Sequence, residues 1–287
     1  MEWPLHTAAY EARPDCKAVI HAHSMTLVAF SLAQKSEKEE QEGTPDPRVP
    51  DTRVLLGAYQ ACGKVMFTPY AMPGSQELGD ICKDAFAKGA DSVILQNHGV
   101  VVVGKTLHDA YDRFVSIEYL ARSIVNAIPL KAPPKPLPPA ILKYAYDIDS
   151  RDAENPFPRT IRAKPHNIDA NRTADSRILS GHEKEMRGRL CDFIHRAYNQ
   201  NLVTSSSGSF SARMTIPNEV GGDVSFIISP SGVDRQSMEP GDLCFVSTSS
   251  KDTVLAIEPD AKKAKLSSSN CLWFYPVHAP GAPEAVR

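Results

Sequence analysis

The sequence predicts an α/β protein in which helices and strands form packed layers. Apolar runs of strand length alternate along the chain with segments whose apolar residues recur at helical spacing. The chain has 287 residues, of which 42% are hydrophobic, and this is enough to bury a sizeable core. Layers of helices and strands around a common core are the usual outcome of such an alternation.

The first half of the chain predicts its elements in a clear order. Residues 18–34 predict a strand followed by a helix from about Thr26, and the next strand is predicted at Met66–Tyr70. Ser75 is the expected N-cap of a helix over 77–88. The remaining elements are two strands within Ser92–Val103, on either side of a tight turn, and a helix over Leu107–Ala127 with one apolar stripe.

A proline-rich segment divides the chain. Residues 129–175 begin with closely spaced prolines and predict an extended linker between domains at 1–128 and 176–287. The second domain predicts a helix over 177–199 and then three strands, at Phe210–Thr215, Val224–Ser229 and Leu243–Ser247. A linker of this length allows the two domains to dock on each other, or two chains to exchange them.

Composition excludes several classes of protein. The formal net charge of −2 gives no general attraction to nucleic acid or acidic membranes. No apolar run approaches the roughly 18 residues of a membrane span, and the N-terminal residues do not form a signal peptide. The six cysteines are scattered without a CxxC pair, which predicts reduced, buried thiols and a cytoplasmic protein.

Three histidines predict a metal site. His21 and His23 are two residues apart in an apolar strand, so their side chains point to the same face. His98 lies at the turn that separates two further apolar runs. Imidazoles that converge in this way can hold a catalytic zinc and leave a position open for substrate.

The residues around these histidines resemble the class II aldolase/adducin family. The resemblance covers Glu2–His23, Leu95–Val101 and the helical segment Thr106–Ala127. It implies a central, mostly antiparallel sheet flanked by helices. It also implies assembly into a homo-oligomer, either a tetramer or a dimer with exchanged halves.

A second resemblance, from residue 176 onwards, is to the opposite end of the same family domain. Ile178–Asn201 is similar to the family's first helix, and the family's Gly/Ser turns are similar to Gly208–Arg213, Ile227–Gly232 and Lys265–Ser269. The two halves therefore stand in swapped order. Either a circular permutation or an excerpt of a tandem protein explains this order, and the start at Met1, inside a family motif, favours the tandem.

The resemblance assigns roles to individual residues. It implies a zinc ion on His21, His23 and His98, with Glu2 as the acid/base group. Substrate phosphate would be bound by the turns at Gly208, Ser209, Ser231, Gly232, Ser267 and Ser268. The implied reaction is retro-aldol cleavage of a small sugar phosphate of the ketose 1-phosphate class, as part of carbohydrate metabolism. Ser209 replaces an asparagine of the family, and Ser269 occupies the glutamate position of the second half.

Other functions fit the same resemblance. Family relatives with this metal site include epimerases, dehydratases and decarboxylases. A non-catalytic, adducin-like protein that binds actin is a second alternative, although adducin's basic tail is absent from this sequence. A degenerate, inactive family member is the third.

Glu118 and Asp109 are predicted to be solvated, and Glu2 lies near a chain terminus, where residues fray unless they are held.

Overall fold

The computed structural model describes residues 2–34, 46–131, 134–146, 181–214, 224–230, 233–248 and 254–257. The chain divides into two compact units, Met1–Arg151 and Asp152–Arg287. Each unit contains its own four-stranded sheet.

The first unit is a mixed sheet with helices on both faces. Its elements are α1 (Trp3–Ala12), β1 (Ala18–Ala22), α2 (Met25–Leu32), α3 (Leu56–Cys62), β2 (Val65–Thr68), α4 (Gln76–Ala87), β3 (Ser92–Leu95), β4 (Gly99–Gly104), α5 (Leu107–Ala127) and α6 (Pro139–Tyr146). The strand order is β1-β4-β3-β2. Strands β2 and β3 run parallel and are connected through α4, whereas β4 is antiparallel to both β1 and β3.

The two central strands are buried on both faces. Every residue of β3 and β4 is buried. Val101 and Val103 pack into one core with α1 and α4, while Val100 and Val102 pack into a second core with α2, α3 and α5. Because side chains alternate along a strand, a run of four valines supplies both cores at once.

Helix starts in the first unit follow the capping residues. Ser75 accepts a hydrogen bond from the backbone N–H of Leu78, and Thr106 accepts one from Asp109. Helix α5 has the predicted bounds. Helices α1 and α3 were not predicted, because they are short and rich in small residues and show no strong helical stripe.

The predicted extended linker over 129–175 contains a helix where it is described. Helix α6 contacts α3, its Leu142 is buried, and the N–H of Leu137 donates to the carbonyl of Arg53. Pro139 can begin this helix because the first helical position needs no N–H donor. Residues 147–175 lie outside the described part of the chain.

Asp91, which directly precedes β3, forms a hydrogen-bond network at the start of this strand. Its carboxylate accepts hydrogen bonds from Arg13 at 3.2 Å and from the backbone N–H of Lys64 at 3.0 Å. Arg113 lies 3.9 Å from the same carboxylate. This network ties α1, α5 and the segment before β2 to the start of β3.

The second unit is an antiparallel meander packed on one long helix. Its elements are α7 (Gly181–Asn199), β5 (Ser211–Met214), β6 (Val224–Ile228), β7 (Cys244–Thr248) and β8 (Val254–Ile257), and the sheet has the order β5-β6-β7-β8. Leu190 and Ile194 of α7 pack with Ile227 and Met238. Strand β8 was not predicted. The helices and mostly antiparallel strands of the two units confirm the predicted α/β fold class.

Four cysteines are free and buried, as predicted: Cys16, Cys62, Cys82 and Cys191. Burial raises the pKa of the Cys62 and Cys82 thiols to about 12, so both are protonated and unreactive at neutral pH. No helix in the described residues is both long enough and apolar enough to cross a bilayer.

Candidate metal centre

Strand pairing brings the three predicted histidines together. His21 lies on β1, His23 directly follows this strand, and His98 lies in the turn between β3 and β4. In the antiparallel pairing of β1 with β4, His21 is opposite Val101 and Ala22 is opposite Val100. The end of β1 therefore lies beside the start of β4, which is where His98 is placed.

The three rings form a compact group. Their centroids are 4.8 Å apart for His21 and His23, 4.9 Å for His21 and His98, and 5.0 Å for His23 and His98. One ring nitrogen from each residue lies within 4.8 Å of the others. Among the described residues, this is the only histidine, cysteine or carboxylate group with the geometry to hold a metal ion.

A backbone contact sets the tautomer of His21. Its Nδ1 lies 3.1 Å from the carbonyl oxygen of Val100, and because a carbonyl can only accept, Nδ1 carries the proton. The lone pair is then on Nε2, which lies 3.0 Å from Nε2 of His23. A hydrogen bond on the remote nitrogen is the usual arrangement for a metal-bound histidine.

His98 carries an unsatisfied polar atom. The side chain is 8% exposed, and its buried Nδ1 has no hydrogen-bond partner in the described structure. A buried nitrogen without a partner costs free energy. The all-imidazole donor set fits a divalent metal such as zinc.

Burial keeps two of the rings neutral. Desolvation lowers the pKa of His21, the nearby His98 and His23 lower it further, and the hydrogen bond to Val100 opposes the shift. Desolvation also lowers the pKa of His98, against the opposing charge of Glu2. Neutral imidazole is the form that binds metal.

Gly99 allows the chain to close around this group. A Cβ at this position would lie 2.6 Å from the carbonyl oxygen of Ala22 and 2.7 Å from Cδ2 of His23. The residue after His98 must therefore lack a side chain for β1 to pair with β4 in the observed register.

The structure places Glu2 beside the histidines. Its Oε1 lies 3.8 Å from Nε2 of His98, and its Oε2 accepts a hydrogen bond of 3.2 Å from the N–H of Gly74. Glu2 precedes α1, which packs against α4 through the buried Leu5. The predicted tendency to fray is therefore opposed by the packing of α1 and by the Gly74 contact.

The predicted phosphate-binding residues lie only partly within the described structure. Gly208 has a left-handed backbone (φ 81°), and Ser209 beside it is exposed. Both are in the second unit. Ser231, Gly232, Ser267 and Ser268 lie outside the described residues.

The turn at Gly208 is held by Arg235, which sequence reasoning missed. This arginine is 1% exposed, and its guanidinium donates to the carbonyls of Ser207, Gly208, Pro230 and Val233. No sequence signal marked it, because its four partners are backbone atoms.

The prediction that Glu118 is solvated is wrong. Its side chain is 13% exposed and accepts hydrogen bonds from the hydroxyls of Ser24 and Thr26. The packing of α2 against α5 shields most of this carboxylate from solvent, and the two helices are far apart in sequence.

A family comparison matches most of the chain. The sequence profile described as Class II Aldolase and Adducin N-terminal domain matches residues 1–125 and 188–279. The chain belongs to this family. The interval between the matched segments contains the predicted linker. Which part of the family domain each segment represents stays a prediction.

Two curated relatives of this chain are named as enzymes. The 3-oxo-tetronate 4-phosphate decarboxylase of Pectobacterium atrosepticum is 35% identical over 124 residues, which cover 43% of this chain and 52% of the relative. The L-fuculose phosphate aldolase of Escherichia coli K12 is 27% identical over 132 residues, which cover 46% of this chain and 55% of the relative. The chain spans about half the length of the curated relatives it matches.

Solved structures of family members overlap the chain in part. The YgbL protein from Klebsiella pneumoniae is 26% identical, with a TM-score of 0.42 over 50% of this chain and 64% of that one. An L-fuculose 1-phosphate aldolase is 23% identical, with a TM-score of 0.40 over 51% of this chain and 62% of that one.

Proposed function

We propose that this protein is a zinc-dependent lyase that cleaves a carbon–carbon bond in a small sugar phosphate by retro-aldol chemistry. The observation that carries the proposal is the convergence of His21, His23 and His98, with Glu2 at 3.8 Å from His98. Membership of the family and the names of the relatives support the substrate class.

The three histidines would hold the metal through neutral ring nitrogens. Zinc held by these residues would act as a Lewis acid towards a carbonyl oxygen of the substrate. The Val100 carbonyl orients His21 for this role, and the burial of His98 keeps water away from one side of the site.

Glu2 would move the proton. Its Oε2 is held by Gly74, which leaves Oε1 facing His98 and free to act. In a retro-aldol cleavage, Oε1 takes the proton of the substrate hydroxyl as the carbon–carbon bond breaks and that carbon becomes an aldehyde. The same oxygen then returns the proton to the carbon that kept the bonding electrons.

The glycine and serine turns would bind the substrate phosphate. In the described part of these turns, Gly208 adopts a backbone that favours glycine, and Ser209 presents an exposed hydroxyl. We extend the same role to Ser231, Gly232, Ser267 and Ser268 on the basis of the resemblance.

Decarboxylation is a second candidate reaction, and the similarity to the Pectobacterium atrosepticum decarboxylase favours it. A 3-oxo acid loses carbon dioxide with the same build-up of electrons beside a carbonyl. No hydroxyl proton is removed in that case, so Glu2 would only pass a proton from solvent to the resulting carbon.

Metal analysis tests the site. We expect about one zinc ion per chain in the purified wild-type protein, and loss of this metal in a His21→Ala/His23→Ala variant. His108→Ala is the matched control, because His108 is exposed and belongs to a different element. A folded wild-type protein that binds neither Zn²⁺ nor Co²⁺ would contradict the proposal.

Product analysis separates the two reactions. Cleavage of L-fuculose 1-phosphate to an aldehyde would support retro-aldol activity, whereas release of carbon dioxide from 3-oxo-tetronate 4-phosphate would support decarboxylation. Glu2→Gln should lower kcat strongly while zinc stays bound. Full turnover by this variant would rule out the role of Glu2.

A further inference from the structure

The carboxylate of Glu118 connects α5 to the segment that follows the histidine pair. Its Oε2 accepts a hydrogen bond of 2.7 Å from Oγ of Ser24, and its Oε1 accepts one of 2.7 Å from Oγ1 of Thr26. Arg122 lies 3.3 Å from Oε1, one helical turn further along α5. Short hydrogen bonds to an ionised carboxylate are among the stronger ones in proteins.

Ser24 does not cap its own helix. It occupies the N-cap position of α2 with an extended backbone, yet its side chain accepts no capping hydrogen bond. Ser75 and Thr106, in the same position on α4 and α5, both cap their helices. The Ser24 hydroxyl is directed to Glu118 instead, so this contact replaces the usual local role of an N-cap serine.

Ser24 directly follows His23, which has little else to hold it. Within the described residues, the only hydrogen-bond partner of its ring is Nε2 of His21, and the side chain is exposed. His21, in contrast, is oriented by a backbone carbonyl, and His98 is almost buried. The orientation of His23 therefore depends on the backbone on either side of it.

Glu118 projects from a rigid element. Its neighbours on α5, Ile117, Leu120 and Ala121, are fully buried in the core beneath β4. A carboxylate anchored in this way can fix the start of α2, whereas one on a mobile loop could not.

We propose that Glu118 is a positioning residue for the metal centre, which it serves by holding His23 in place through Ser24 and Thr26. This inference rests on the proposed function, because it assumes that the three histidines bind a divalent metal. Residues that orient ligands from outside the ligand set commonly change metal affinity 10–100-fold, which sets the scale of the expected effect, about tenfold or more.

The test compares metal affinity with fold stability. Glu118→Ala and the double variant Ser24→Ala/Thr26→Ala should each weaken Zn²⁺ binding about tenfold or more, measured by competition with a chelator. Both should also change the absorption spectrum of the Co²⁺-loaded protein, which reports ligand geometry. Glu118→Gln keeps one acceptor oxygen and should restore part of the affinity.

Ser75→Ala is the matched control. It removes a serine from the N-cap of α4, where the hydroxyl does form a capping bond, and should lower thermal stability without changing Zn²⁺ affinity. Because Glu118 acts through the two hydroxyls, combining Glu118→Ala with Ser24→Ala/Thr26→Ala should weaken binding no further than either change alone.

The outcomes separate this inference from the proposed function. Metal binding by the wild-type protein, together with unchanged affinity and an unchanged Co²⁺ spectrum in folded Glu118→Ala, would overturn the inference alone. If Glu118→Ala does not fold, the same comparison with Glu118→Gln or Thr26→Ala decides it. A wild-type protein that binds no metal would overturn both.

Discussion

Nδ1 of His21 lies 3.1 Å from the carbonyl oxygen of Val100, across the pairing of β1 with β4. The contact joins a candidate metal ligand to a strand that is buried on both faces. Burial keeps the ring neutral, and the contact places its proton on Nδ1, so Nε2 stays available as a ligand atom.

The stability of the metal-free protein should fall in acid. Burial lowers the pKa of His21 and His98 below the ordinary histidine value of 6.5, so near this pH the unfolded chain binds more protons than the folded one. The free energy of unfolding should therefore decrease as the pH falls through 6.5 towards the lowered values. Urea denaturation between pH 7 and 5 measures this slope.

The comparison for that slope is a His21→Gln/His98→Asn variant. It lacks both titrating rings, so its stability should depend less on pH over the same range. If the free energy of unfolding depends equally on pH in both proteins, His21 and His98 are not the groups responsible.

Gly99→Ala should disrupt the end of the sheet. The new methyl group would lie 2.6 Å from the Ala22 carbonyl oxygen and 2.7 Å from His23. We expect a loss of about 1–3 kcal/mol in the free energy of unfolding and weaker Zn²⁺ binding. Gly57→Ala is the control, because nothing lies within 4 Å of a Cβ added at this position in α3. Since alanine is more favourable than glycine inside a helix, this variant should gain about 0.5–1 kcal/mol in the free energy of unfolding.

Asp91→Asn should destabilise the first unit from the opposite end of its sheet. The carboxylate is 21% exposed and accepts from Arg13 and from the Lys64 N–H, so replacement by the neutral amide should cost about 1.5–3 kcal/mol in chemical denaturation. Glu11→Gln removes an exposed ion pair with Lys83 and should leave stability unchanged. Similar losses in both variants would argue against a special role for Asp91.

Arg235→Lys should loosen the turn at Gly208. One ammonium group cannot reach the four carbonyls that the guanidinium serves, and each buried carbonyl left without a partner costs about 1–3 kcal/mol. Amide hydrogen exchange near residues 205–210 should become faster. The control is Arg189→Lys, on the exposed face of α7, which should not change this exchange rate. An unchanged exchange rate in Arg235→Lys would show that the turn is stable without the guanidinium contacts.

Local patterns predicted the long, well-capped elements. Helix α5 follows from Thr106 and one apolar stripe, and the strands at 92–95 and 99–104 follow from apolar runs around Asn97–Gly99. The histidines could be named as candidates from spacing. Their distances could not be predicted, because they depend on the pairing of β1 with β4, which are about 80 residues apart in sequence.

Non-local contacts also explain what was missed. A glutamate on a helix is usually solvated, and Glu118 is largely shielded from solvent because α2 packs across it. Arg235 bonds backbone carbonyls, which leave no pattern in side-chain types. Helix α1 buries two small apolar residues, Ala8 and Ala9, and packs on α4 without a strong apolar stripe of its own.

The burial of β4 on both faces has an entropic consequence for ligand binding. His21 and His98 are attached to this strand or to its partners, so they are already ordered before any ion arrives. Little conformational freedom remains to be lost when these two residues coordinate. The exposed His23 has the fewest contacts of the three, so its ring would contribute the largest part of the entropic cost of assembling the centre.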